Sequence, residues 1–274
     1  MLRKYILFLK KYPLITAAIA VVYGILCIKL LKADNNLETA VHRSMLSGAM
    51  MFFLYQISGD KTLTGRLNST WYVIKVALGF WLVSLPLGFF AFLGKADSEV
   101  LDNVPLQLLI VFVMFLFVGL FEELCFRAII NDAIIYQFRD KKYVFVLSAF
   151  CSFFVFGAAH VVGTPLNSAM AWIQAILKTV QSGMLGLGLL FLYWKTRNIW
   201  ACGVVHGVSD FILAFHLGIF KGGTEQITYI ADGERAMATV VLYLIMIAIY
   251  GVITFFIYRR IGKQIDYQKI REEW

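Results

Sequence analysis

Runs of about 20 apolar residues recur along almost the whole chain, and nothing else in the sequence restricts its fold as strongly. A helix rising about 1.5 Å per residue needs that many to cross ~30 Å of hydrocarbon. The clearest spans are Pro13 to Leu31, Trp71 to Leu93, Pro105 to Ile130, Tyr143 to Val162, Ala169 to Trp194, Ile199 to Phe220 and Met237 to Tyr258. An eighth stretch, Met45 to Ser58, is apolar but short. Charged residues make up 15% of the 274 residues, against about 25% in an ordinary soluble domain, so no soluble domain is left over. The expected fold is all-α: a polytopic membrane helix bundle filling 1–274 as one membrane domain.

Charge placement favours a crossing by the short stretch. With eight spans both termini fall on one side, and most of the 25 Lys and Arg residues fall there too. Lys32, Arg43, Lys95, Lys221 and Arg235 are left on the other side, and Lys29, Lys75, Arg127 and Lys178 within spans. The positive-inside rule then makes both termini cytoplasmic. The net charge of +8 reads as topology signal and attraction to an anionic leaflet, not as a nucleic-acid face. Cys27, Cys125, Cys151 and Cys202 lie in apolar spans without disulfide or zinc-type spacing and read as buried thiols.

An ionisable side chain at the centre of a membrane helix costs roughly 2.5 to 3.5 kcal/mol, so such residues persist where they line a cavity or pair with one another. Three spans carry them: Glu122, Glu123 and Arg127 in the first, His160 with Phe156 in the next, and His206 with Asp210 in the penultimate. Glu123 and Arg127, four apart, share a helix face and can pair; Glu122 is turned about 100° away and is freer to react. His206 and Asp210 have the same spacing, so the carboxylate can hold one ring nitrogen and fix which nitrogen faces the cavity. Gln174, Lys178, Gln181 and Ser182 form a polar stripe suited to wetting a cavity wall. An ion-paired plug between helices is the plain alternative for the Glu–Glu–Arg group.

Depth brings the groups together. The hairpin between the two central spans turns around Lys141, and Glu122 and His160 lie equally far before and after it, about 28 Å along their helices. His206 lies about 14 Å from Arg197, so a common level requires Asn131 to Lys142 to project beyond the hydrocarbon. That segment mixes Asp132, Gln137, Arg139 and Asp140 with apolar residues, as a helix leaving the membrane would.

The ordered set EExxxR (Glu122, Glu123, Arg127), FxxxH (Phe156, His160) and HxxxN/D (His206, Asp210) resembles the CPBP family, which contains the CAAX prenyl endopeptidases and the bacterial Abi proteins. The resemblance covers a catalytic core from about 105 to 220. It implies an intramembrane glutamic-type endopeptidase without a cofactor. Glu122 and His160 would activate a water, His206 and Asp210 would stabilise the oxyanion, and Glu123, Arg127 and Phe156 would support them. The last motif position is often Asn in the family, an amide able to donate to an oxyanion; an ionised Asp210 would repel one.

Two other readings stay open. Glu122, His160 and His206 could supply the two-His, one-Glu set that zinc accepts, giving a metalloprotease. The fold could also serve without turnover, as a peptide-immunity factor or adaptor. The implied partners are the bilayer and a peptide or protein substrate, either the C-terminus of a lipidated protein or a small secreted-peptide precursor, with no nucleic acid. Compact loops and an Ile/Lys-rich style point to a bacterial plasma membrane.

Overall fold

A computed structural model describes residues 2–31, 33–64, 67–95, 97–222 and 229–274. Lys32 and Arg66 of the charge count lie outside these, as do the side chains of Arg3, Lys4 and Lys29 and part of the loop Lys221 to Ala236. The regular elements among the described residues are helices, joined by turns and loops, with one antiparallel bridge between Val100 and Phe220. They form two compact units, Met1–Ala133 with Thr196–Glu225, and Ile134–Lys195 with Gln226–Trp274.

The first unit contains α1 (Leu2–Lys11), α2 (Pro13–Leu30), α3 (Asn36–Ser58), α4 (Leu67–Leu93), α5 (Val104–Glu123), a π-helical segment (Leu124–Ile129), the start of α6 (Ile130–Phe138) and, after a gap in sequence, α9 (Ile199–Ala214). α5 is the central element, packed against α3 and α9, and α4 packs against α9. Polar ties fix the register of these helices. Asn198 caps α9 by accepting from Ala201 N–H, and its amide donates to the hydroxyls of Ser69 and Thr70 at the start of α4. Trp81 of α4 donates to Val205 O of α9 at 2.9 Å. Asn35 caps α3, and Glu38 reaches back to Asp34 N–H, a reciprocal cap that starts this helix well before Met45.

The second unit contains the rest of α6, α7 (Val144–Ala159), α8 (Ala169–Thr196), α10 (Arg235–Ile261) and the short α11 (Tyr267–Glu272). α7 meets α8 where Gly157 admits the Thr179 carbonyl. α10 joins α8 through Thr254, which donates to Met184 O at 2.8 Å. Phe145, Trp194 and Tyr267 pack ring edge to ring at the end of this unit.

Five described helices are long and apolar enough to cross a membrane: Ser69–Leu93, Val104–Phe138, Ala169–Thr196, Ile199–Gly218 and Arg235–Gln264. Three of the eight expected spans fall outside this set, each for a physical reason. α1 and α2 are bent by 110° at Tyr12, because the residue before Pro13 is pushed out of the helical region; as one broken span they would make six. α7 has 16 residues, about 24 Å, short of a full crossing. α3 has 23 residues, so Met45 to Ser58 is the apolar part of a longer helix that begins with Glu38, His42 and Arg43. In contrast, Val104–Phe138 runs for 35 residues, about 50 Å, well beyond the hydrocarbon thickness.

Candidate active site

The meeting of α5 and α9 positions the first half of the site. Gly119 and Gly207 lie where the two backbones touch: a Cβ on Gly119 would strike the Gly207 and Gly203 backbones, and one on Gly207 would strike Phe115 O. Helices approach this closely only through residues without side chains. Gly119 lies one turn before Glu123 and Gly207 follows His206, so the same contact carries the imidazole onto the carboxylate.

There, His206 Nδ1–H donates to Glu123 Oε1 at 2.7 Å. The same oxygen lies 3.3 Å from Arg127 Nη1, across the first turn of the π segment. Glu123 and Arg127 are fully buried and His206 nearly so. Nδ1 being taken, Nε2 is the nitrogen left for chemistry, and two further carboxylates face it: Glu122 Oε2 at 3.5 Å and Asp210 Oδ2 at 3.6 Å. Their side chains are 22% and 25% exposed, unlike that of Glu123, so of the adjacent glutamates only Glu122 is reachable. Asp210 was expected to hold the His206 ring; the ring is held from another helix by Glu123, and Asp210 stands at the opposite nitrogen. An i, i+4 neighbour reaches a ring edge, but the interhelical carboxylate approaches at hydrogen-bond distance.

His160 belongs to the second unit and forms the C-terminal end of α7, where the helix opens into a turn. Its Nδ1–H donates to Phe156 O at 2.9 Å, which leaves Nε2 as the lone-pair nitrogen of the neutral ring. Phe156 is buried and meets the imidazole edge-on, with centroids 4.7 Å apart.

Two expectations change in detail. Asp132, in the segment expected to leave the membrane, is fully buried and accepts two hydrogen bonds from the Arg197 guanidinium, at 2.9 and 3.1 Å. The polar stripe of α8 does not simply line a wall. Gln174 is bonded to the backbone of Ala231, and Lys178 donates to Gln181 at 2.9 Å. Among the described residues no disulfide joins Cys27, Cys125, Cys151 and Cys202, and no group of three or more His, Cys, Asp and Glu side chains is arranged to hold a metal ion.

Residues 104–212 match the family model described as Type II CAAX prenyl endopeptidase Rce1-like. The Rce1-like segment opens on the first residue of α5 and closes two residues beyond Asp210, so all seven residues singled out above lie inside it. The match agrees with the family resemblance read from the motifs, and the family it names is one of proteases. With five helices fit to cross a bilayer, the chain is an integral membrane protein. No curated protein and no solved structure matches it.

Proposed function

We propose that the chain is an intramembrane endopeptidase in which Glu122 activates the attacking water and His206 stabilises the oxyanion. The observation that carries this is the asymmetric holding of His206, clamped at Nδ1 by buried Glu123 and facing accessible Glu122 with Nε2. Peptide hydrolysis needs a base for water and a donor for the developing negative oxygen. Of the two adjacent glutamates, Glu122 is the one that substrate and water can reach. As it takes the water proton, the hydroxide adds to the scissile carbonyl, and the oxygen that becomes negative accepts from Nε2–H of His206, the ring carrying a proton on both nitrogens while Glu123 holds the other. The proton is then delivered to the leaving amide nitrogen as the C–N bond breaks. Glu123 and Arg127 act through His206: the pair keeps a compensated charge at Nδ1, so the ring cannot turn.

His160 is assigned as the partner base of Glu122. Equal spacing from Lys141 and the family motif support that pairing, and the neutral ring with its lone pair on Nε2 suits the role. Asp210 orients the second side of His206 without closing on it. The substrate is the C-terminal region of a lipidated protein or a small secreted-peptide precursor, cleaved in a bacterial membrane by a chain with eight crossings and both termini cytoplasmic.

The test is detergent-purified protein with a peptide library, products read by mass, wild type against Glu122→Ala. Cleavage by wild type and its loss in the variant are expected. Unchanged cleavage removes Glu122 from the reaction. Activity that falls on chelation and returns with zinc would instead select the metalloprotease reading. A cellular phenotype that survives Glu122→Gln in a folded protein would select the non-enzymatic one.

A further inference from the structure

A buried glutamine in a membrane helix is costly unless both ends of its amide are satisfied. In α8, fully buried Gln174 meets that demand with one peptide unit: its Nε2 donates to Ala231 O at 2.9 Å and its Oε1 accepts from Ala231 N–H at 2.8 Å. The segment before α10 is thus bonded to α8 as if by one rung of a sheet. Two residues earlier the same segment is held again, by the Tyr243 hydroxyl donating to Tyr229 O. One turn along α8 from Gln174, the Lys178 ammonium stands 4.2 Å from the centre of the Tyr229 ring. Three side chains from two helices therefore fix one strap, and what the strap presents is Tyr229. Its ring meets the His160 imidazole at 5.7 Å and 61°, an edge contact that adds to the one made by Phe156.

We propose that Tyr229 is a positioning residue that holds the His160 ring in the orientation set by the Phe156 carbonyl, with Nε2 forward. This rests on the role given to His160 above. A ring at a helix end, where α7 unwinds, is free to turn about two side-chain bonds. The hydrogen bond to Phe156 O constrains one ring nitrogen, and an aromatic neighbour restricts rotation about that bond. The contact with His160 is made by the ring of Tyr229, which phenylalanine retains. The strap also explains Gln174 and Lys178, four residues apart on one face of an apolar helix: one grips the backbone and the other the ring.

The test compares wild type, Tyr229→Leu and Tyr229→Phe in detergent, with [15N]histidine and the His160 signal assigned by its loss in His160→Gln. Thermal unfolding confirms the fold of each variant. Wild type and Tyr229→Phe should give the fixed Nδ1–H pattern for His160, while Tyr229→Leu should give an averaged one. Turnover should fall about tenfold in Tyr229→Leu with KM within about twofold, and Phe should restore it. Should Tyr229→Leu fail to fold, Tyr243→Phe removes one clamp from the strap and should broaden the same signal. A wild-type His160 signal in a folded Tyr229→Leu protein overturns the proposal whatever the activity. An averaged signal in a protein whose turnover is indifferent to Glu122→Ala leaves the positioning intact and overturns the peptidase reading instead.

Discussion

Glu123 of α5 and His206 of α9 share a 2.7 Å hydrogen bond between a fully buried carboxylate and a nearly buried imidazole. Arg127 stands against the same oxygen, so the carboxylate carries both a charge partner and a ring. Glu123→Gln keeps the shape, removes the charge and offers an amide that can present N–H instead of oxygen to Nδ1. Without that charge the ring no longer keeps a proton on both nitrogens and its donor to the oxyanion is weakened, so turnover should fall at least about a hundredfold with KM little changed. Steady-state kinetics read it; wild-type turnover would remove Glu123 from the positioning of His206. Glu123→Leu goes further and removes one member of a buried ion pair, at a cost of about 3–5 kcal/mol, visible as a lowered unfolding temperature.

Contact between α5 and α9 through glycine sets that hydrogen bond, so side chains at the contact should break it from a distance. Gly207→Val drives a branched side chain into Phe115 O and should destabilise by about 1–3 kcal/mol while lowering activity more than expression. Gly48→Ala is the control, since nothing lies within 4 Å of a Cβ there. Equal tolerance at Gly48 and Gly207 in a thermal unfolding series would show that the helices can separate without loss.

The Asp132–Arg197 pair joins the chain just after the π segment to the turn before α9, the two elements that deliver Glu123 and His206. The pairing is two-pronged, so Arg197→Lys should not substitute for it. A double-mutant cycle with Asp132→Asn and Arg197→Gln should give a coupling of about 0.5–3 kcal/mol in unfolding. Additive effects would reduce the pair to two independent contacts.

Much of this was readable in the residues themselves. Burial cost singles out Glu122, Glu123, Arg127, His160 and His206, because charged or titratable groups stand out in apolar helices, and the four-residue rule places Arg127 beside Glu123. The partner of His206 was not readable. Asp210 has the right spacing within one helix, but the partner at bonding distance arrives from α5, and its approach depends on the depth at which glycines let two backbones meet. The π segment is equally hidden, since Leu124–Ile129 has the composition of any apolar helix and its extra residue per turn is a matter of packing. Gln174 and Lys178 stood out as polar, yet their partner, a short loop segment around Tyr229, has no pattern of its own. The lengths of the helices behind the expected spans were hidden for a different reason: hydropathy measures apolarity, not the bend before Pro13 or the early end of α7.

Asp210 lies 3.6 Å from His206 Nε2, the nitrogen proposed to donate to the oxyanion. A carboxylate there opposes a developing negative oxygen, while an amide of the same shape does not. Asp210→Asn should keep turnover or raise it, and Asp210→Ala should lower it, because the ring loses its neighbour and gains no donor. Reversal of that order, with Asn inactive, would mean that the carboxylate charge itself takes part.

Beyond the last helix fit to cross a membrane, the half-buried phenol of Tyr267 offers a pH test of the second unit. Burial holds its pKa above the ordinary tyrosine value, with Tyr258 adding to the shift, and its ring packs on Phe145 with centroids 4.6 Å apart. The folded state therefore keeps the proton more tightly than the unfolded chain does. Below the unfolded value of about 10 both states are protonated and the full stabilisation is present. As pH rises past it the unfolded chain ionises first, and stability falls until the folded phenol ionises as well. Tyr267→Phe has no proton to lose, so its unfolding midpoint should decline less than that of wild type above about pH 10, with the two running parallel below. Parallel decline throughout the alkaline range would show that the phenol is as well solvated in the fold as in the open chain.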